Sequence, residues 1–296
     1  MVKQVKRFFF IFTLYFTISG VYAQYLEINP IYNITKSLGD ELHPDWSSDG
    51  KSLVFQSNKN GNWDIYKYNL ENDSLIQLTH SNAQEEYPVL LNSKQHLVYT
   101  SDISGESKLY ISDLATGTEK LLFDREIKSK AATFPESDYL LYFLGFNELP
   151  KQWGLYRYEI KYNSLKFMLP LSTEKYPPKI STNSELILIS SYNAEKSVEE
   201  LNIYNWYGKL EENFQDFNII DPEWFPGGLK IIFVSDKDDK AGEIYTIWKD
   251  GSHLERLTND SLKIKNPVVS PTLKYMAVSV LVDGGFDLFV IPLEDY

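Results

Sequence analysis

The chain has 296 residues, 43% of them hydrophobic and 24% charged, with 44 aromatic residues and no cysteine. It is too apolar and aromatic for a disordered chain and too poor in Gly and Pro for a fibrous one; without Cys it has no disulfide framework, thiolate metal site, catalytic thiol or lipoprotein anchor. With 29 Lys and Arg against 41 Asp and Glu, the net charge of −12 argues against nucleic acid as a partner, because phosphate binding needs a basic footprint.

In chain order, the first element is a leader. Lys3, Lys6 and Arg7 precede the apolar run from Phe8 to Ile18, and small side chains at Val21 and Ala23 suit a cleavage pocket. This pattern predicts a signal peptide over residues 1–23, cut between Ala23 and Gln24. The apolar stretch covers only about 15 residues from Phe8 to the cleavage position, short of the roughly 20 that span a bilayer. The expected mature chain has 26 basic and 41 acidic residues, a net charge of −15, and no stable insertion in the membrane.

A repeat of about 45 residues organises the rest. Its anchor is a proline at positions 44, 88, 177, 222 and 267, with Ala131 in the place of the missing member. Eleven residues after each anchor stands Phe55, Tyr99, Tyr142, Leu188, Phe233 or Val278, which makes six units. Within a unit the apolar period is two, the signature of strands. A short strand ends in Trp46 or Trp224, and a turn such as Ser48-Asp49-Gly50 or Pro226-Gly227-Gly228 follows. A strongly apolar second strand comes next (Ser52–Ser57, His96–Ser101, Leu186–Ile189, Lys230–Ser235). The third strand carries an apolar-aromatic pair (Ile65-Tyr66, Leu109-Tyr110, Leu155-Tyr156, Ile203-Tyr204, Ile244-Tyr245, Leu288-Phe289). A fourth closes the unit, as in Leu75–Thr79 and Leu254–Thr258.

Four strands per repeat predict an all-β fold, a six-bladed β-propeller of four-stranded antiparallel blades forming a single domain over 24–296. The sixth unit reads as three strands only. Tyr32-Asn33-Ile34-Thr35 resembles Ile76-Gln77-Leu78-Thr79, so this N-terminal strand is expected to pair with Phe286–Pro292 and close the ring.

The units resemble the exported propeller repeats of the TolB family, which run roughly P-x-W-S-P-D-G-K-x-I-x-F-x-S, then D-I-Y, then L-T. The first blade carries Pro44, Trp46, Ser47, Asp49, Gly50, Lys51, Phe55, Ser57, Asp64-Ile65-Tyr66 and Leu78-Thr79. The fifth carries Pro222, Trp224, Pro226, Gly227, Phe233, Ser235, Glu243-Ile244-Tyr245 and Leu257-Thr258. The resemblance covers about residues 31–296 and concerns the propeller alone, without the α/β domain that precedes it in TolB. It implies docking of partner proteins at one face of the ring, and a place in the cell envelope alongside a Tol–Pal-like system.

No reactive constellation with specific spacing stands out. His43, His80, His96 and His253 form no paired motif, there is no G-x-S-x-G elbow or phosphate loop, and Pro226-Gly227-Gly228 coincides with a repeat turn. Departures from the repeat are more informative, since variation concentrates in loops. Leu144–Trp153 reads as a long, apolar loop in which Phe146 and Trp153 suit a protein-docking hot spot or fold back over a blade. Glu85, Glu86 and Tyr87 join Glu41, His43 and Asp221 just before anchors, where a propeller brings segments towards its channel. Converging carboxylates suit a basic partner segment or a hard cation such as Ca²⁺, although solvated acidity is the plainer reading. Asp236–Gly242 alternates acids but lacks the length and final Glu of an EF-hand loop.

These residues predict a monomeric, non-catalytic, cofactor-free scaffold, periplasmic or secreted, that binds a protein or peptide partner of the cell envelope through Glu41, His43, Glu85, Glu86, Tyr87, Phe146, Trp153 and Asp221. The alternative is a carbohydrate-active or other small-molecule enzyme using the channel. Carboxylates, or histidines with carboxylates, gathered inside the channel would be its mark.

Overall fold

Alternation along the second strands dictates the architecture. In Ser52–Ser57, Val54 points towards Ile65, Leu90, Leu97 and Tyr99, while Leu53 and Phe55 point the other way, towards Trp46, Tyr66, Ala277 and Leu288. A strand buried on both faces requires a neighbouring sheet on each side, and repetition of that demand closes a ring. The computed structural model describes residues 32–36, 39–93, 95–135, 137–148, 150–172, 174–183, 185–259 and 262–293, with the backbone of 13–14 and 26–27. The predicted signal peptide and its cleavage position lie outside the described side chains.

Six four-stranded antiparallel sheets form the propeller. Blade one is Glu41–Trp46, Ser52–Ser57, Asp64–Asn69 and Ser74–Gln77; blade two is Glu85–Leu90, His96–Ser101, Lys108–Asp113 and Thr118–Leu121. Blade three is Lys128–Thr133, Leu140–Glu148, Lys151–Glu159 and Ser164–Pro170; blade four is Lys179–Ile180, Leu186–Asn193, Val198–Asn205 and Leu210–Phe214. Blade five is Ile220–Trp224, Lys230–Ser235, Glu243–Trp248 and Glu255–Arg256, and blade six is Ile264–Val269, Tyr275–Val282, Gly285–Pro292 and the N-terminal Tyr32–Asn33. The core falls into six apolar clusters, each shared by two adjacent blades. Among the described residues no helix is long and apolar enough to cross a membrane.

The closure is the expected one. Asn33 pairs with Phe289 and Tyr32 with Val290, and the Ile34 N–H donates to the Leu288 carbonyl at 2.9 Å. The Leu288 N–H donates in turn to Thr35 Oγ1 at 2.9 Å. Ile65 and Ile244 make the same bond to Thr79 Oγ1 (2.8 Å) and Thr258 Oγ1 (2.9 Å), which gives the recurring Leu-Thr a structural reason: its hydroxyl satisfies a third-strand N–H beyond the ladder. The remaining edge is covered too. Asp40 Oδ1 accepts from the Phe286 N–H at 3.0 Å, and Pro292 has no N–H to satisfy.

Each inner strand except that of blade four carries a bulge next to the anchor. His43, Tyr87, Ala131, Asp221 and Asn266 have φ of 52°, 54°, 54°, 48° and 48°, and the register shifts there. This places Ala132, not Ala131, at the anchor position of blade three. A bulge leaves an N–H outside the ladder, and at four of the five the neighbouring blade caps it. Asn266 Oδ1 accepts from His43 (3.2 Å), Gln56 Oε1 from Tyr87 (2.9 Å), Thr100 Oγ1 from Ala131 (3.0 Å) and Asp221 Oδ2 from Asn266 (3.0 Å). Thr133 Oγ1 accepts from Ile180 at 3.5 Å, and Trp224 Nε1 donates to the Lys179 carbonyl at 3.1 Å. A belt of hydrogen bonds therefore runs from blade to blade around the whole ring.

Candidate functional site

The inner strands converge on a channel lined by all six blades, among them His43, Asp45, Tyr87, Tyr176, Lys179, Asp221, Glu223 and Asn266. Its cavity is about 50 Å³, room for one or two water molecules. Because each bulge re-aims the residue at its crest, His43 of blade one and Tyr87 of blade two face each other with ring centroids 4.6 Å apart.

Charge in this confined space is mixed. Lys179 Nζ lies 2.6 Å from Glu223 Oε2; burial disfavours the ammonium most, but the charge and hydrogen bond of Glu223 together with the charges of Asp45 and Asp221 more than offset it, so Lys179 is raised. Asp45 Oδ2 accepts from the Leu90 N–H at 2.9 Å, yet burial pushes Asp45 up to about 7. Burial also raises Asp221, against the Asn266 N–H and the ammonium groups of Lys265, Lys179 and Lys175. His43 moves the other way: burial and the charges of Lys179 and Lys265 press it down to about 3, which keeps the imidazole neutral. Tyr176 is pushed up to about 12, chiefly by burial.

Of the residues anticipated for partner binding, His43, Tyr87 and Asp221 meet in the channel. Glu86 stands half-buried, raised by burial and opposed by Lys130. Glu41 and Glu85 do not join them: each opens an inner strand, is buried inside its blade, and accepts from a serine, Ser57 Oγ at 2.7 Å and Ser81 Oγ at 2.6 Å respectively. Their carboxylates therefore serve the blade interior, and the acidic channel comes instead from Asp45, Asp221 and Glu223. Asp45, Lys179 and Glu223 lie outside the expected set, although for Asp45 and Glu223 a charged residue directly behind a proline anchor, where Val89 and Val268 stand in other blades, is a readable signal.

The segment expected as a long loop is a continuous hairpin. Leu140–Glu148 and Lys151–Glu159 pair along nine residues each, against six in blades one, two and five. The three extra residues lift its tip by roughly 10 Å, on the face where inner strands begin. On that hairpin Phe146 pairs directly with Trp153, edge to face at 5.5 Å, both half-buried. Lys128 lies over Phe146 at 5.8 Å and Lys130 over Trp153 at 4.9 Å. Trp153 also packs against the cluster shared with blade four, so the pair is both packed and presented. Blades four and six have eight-residue hairpins on the same face. Of the other histidines, His80 and His253 are exposed and His96 half-buried at the start of its strand. Among the described residues, no three His, Asp or Glu side chains are grouped so as to hold a metal ion.

Six four-stranded blades, a ring closed by the N-terminal strand and a narrow polar channel define a strand-closed propeller. The chain belongs to the TolB beta propeller domain family, whose model matches residues 14–219. A curated TolB homolog from Chlorobaculum tepidum is 31% identical over 70 residues, which is 24% of this chain and 16% of that protein. TolB from Acinetobacter baumannii superposes with a TM-score of 0.66 at 12% identity, covering 84% of this chain and 65% of that one. The chain thus spans less than two thirds of either TolB protein. An oligogalacturonate lyase in complex with manganese (TM-score 0.64, 14% identity, 97% of both chains) and a gluconolactonase from Xanthomonas campestris (0.67, 15%, 91% and 90%) share the fold. At such identities the structural likeness is one of fold alone.

Proposed function

We propose that this protein is an exported, non-catalytic propeller scaffold that docks a protein or peptide partner of the cell envelope on the face carrying the blade-three hairpin and the channel mouth. The observation that carries this reading is the presented Phe146–Trp153 pair, flanked by Lys128, Lys130 and Glu148 beside the channel. Such a cluster has the composition of a docking hot spot: aromatic anchors with a charged rim. Family membership supports it, since the related chains include TolB proteins. The mechanism is rigid presentation. The hydrogen-bonded belt and six shared clusters hold the rim in place before a partner arrives, so little ordering entropy is lost on the scaffold side. Export through the predicted leader, action as a monomer in the periplasm or outside the cell, and independence of a cofactor belong to the same proposal.

The test is cross-linking of the mature chain to its partner in native envelopes, comparing wild type with the Phe146→Ala/Trp153→Ala/Glu86→Gln variant. The cross-linked species should fall by at least about tenfold, as loss of aromatic anchors worth 1.4 kcal/mol or more requires. Equal yields would sink the reading.

A second reading, catalysis in the channel, draws on the channel set His43, Asp45, Asp221 and Glu223, in which two carboxyls are raised and the imidazole is neutral. Fold relatives named as a lyase and a lactonase indicate the substrates to try. Against it stands the cavity of about 50 Å³, too small for a sugar ring inside the channel. Turnover of oligogalacturonides or gluconolactone that is lost in Asp45→Asn would favour this reading over docking.

A further inference from the structure

The channel holds groups that neither the closure of the ring nor the blade-three hairpin uses. Three carboxyls, Asp45, Asp221 and Glu223, share it with one ammonium, Lys179, which is already paired with Glu223. The His43 imidazole and Tyr87 ring form a wall at 4.6 Å, and Tyr176 stands on the blade-four side. Among the described residues no hydrogen bond reaches the His43 ring or the Tyr87 hydroxyl.

We infer that the channel is a receptor for one basic side chain, its ammonium or guanidinium tip seated between the His43–Tyr87 wall and the carboxyls of Asp45 and Asp221. The docking reading above supplies the source of that side chain, a Lys or Arg on the partner; the chemistry of the seat stands independently of it. Size favours this occupant. A cavity of about 50 Å³ admits a side-chain tip and excludes a sugar ring or a folded element. Chemistry favours it too: aromatic faces and carboxyls in a confined space attract a cation far more strongly than the same groups in open water.

Entry of the cation is coupled to a proton. Asp45 takes the Leu90 N–H from blade two and feels Lys179 of blade four and Glu223 of blade five; His43, Tyr87 and Asp221 line the same channel, with Lys265 of blade six acting on His43 and on Asp221 and Lys175 acting on Asp221. In this setting the Asp45 carboxyl retains its proton near neutrality. An arriving guanidinium replaces that proton, which leaves to solvent, so binding strengthens as pH rises.

The test uses the full mature chain, titrated with N-acetyl-arginine amide and with its neutral isostere N-acetyl-citrulline amide, and followed by the His43 imidazole proton resonances. The arginine probe should shift those signals saturably and the citrulline probe should not. Affinity should rise roughly tenfold between about pH 6 and pH 8, because the ionised fraction of a carboxyl titrating near 7 climbs from about a tenth to about nine tenths. Asp45→Asn, whose carboxamide oxygen still accepts from Leu90, should abolish that pH dependence. Tyr87→Leu should weaken binding several-fold and leave the pH dependence in place. Equal shifts from both probes, no shift from arginine, or an unchanged pH dependence in Asp45→Asn would each overturn the inference. Failure of the docking reading looks different: the hairpin variant would keep its cross-linked partner while the arginine titration stayed saturable.

Discussion

Removal of residues 24–38 is the most direct test of how the ring is held shut. The deletion takes away the two-residue ladder to Phe289 and Val290, the Ile34 N–H bond to Leu288, the Thr35 Oγ1 acceptor and the 2.6 Å bond from Asn33 Nδ2 to Asp287 Oδ2. Four or five hydrogen bonds at about 1 kcal/mol each, with Ile34 packing against the blade six–one cluster for about 1 kcal/mol, sum to about 5–6 kcal/mol. That is a large share of the roughly 5–15 kcal/mol available to a folded domain. It should lower the melting temperature by roughly 10–20 °C, at about 2–4 °C per kcal/mol for a chain of this size. The deletion also exposes the edge of Gly285–Pro292, so size-exclusion chromatography should show oligomers. Thr35→Val, which removes only the acceptor for the Leu288 N–H, should cost about 1–2 kcal/mol in urea unfolding and leave the chain monomeric. A deletion variant that stays monomeric with an unchanged urea midpoint would refute the closure reasoning.

Three further outcomes follow from the geometry. Asp45 titrates near 7 in the fold and near 3.8 unfolded, so between about pH 4 and pH 7 the native state binds the extra proton. Stability should therefore fall as pH rises through that window and level off above it, and urea midpoints at several pH values should show the decline flattened in Asp45→Asn. Gly145→Ala would place a Cβ 2.6 Å from the Tyr156 ring and 2.8 Å from Ile127 Cδ1, and should cost about 1–3 kcal/mol by the same assay. Asn266→Ala removes the acceptor for the His43 N–H and should cost about 1–3 kcal/mol, accompanied by a changed His43 imidazole signal. An unaffected midpoint in either variant would show that the close contact or the belt bond has no energetic weight.

The blades were legible because burial on two sides imposes a short continuous apolar run, which Leu53-Val54-Phe55 and its five counterparts display without help from turns. Closure was legible because Ile34-Thr35 repeats a fourth-strand ending whose hydroxyl has the same hydrogen-bonding duty in three blades. What escaped was the orientation of the inner strands. Glu41 and His43 share a parity that points both to the same mouth, but the bulge at His43 breaks the alternation, so one carboxylate turns into the blade while the imidazole turns to the channel. Lys179 escaped because blade four has lost the turn motif and replaces the bulge with Pro177-Pro178. Phe146 and Trp153 stand out in the sequence as departures from the repeat, but their pairing requires the hairpin register, which no local pattern specifies.

The strand that closes the ring also dictates when the ring can exist. Asn33 and Asp287 are separated by 254 positions, so their contact awaits synthesis of the third strand of blade six. Such a contact is costly in loop entropy and belongs late on the folding route, after blades one to five have gathered their local hairpins. Until that moment Gly285–Pro292 has an open edge and the chain is an unlocked arc rather than a circle. Closure of the ring is therefore timed by its sixth blade, and the dangerous interval for misassociation is the one just before Tyr32–Asn33 finds Gly285–Pro292.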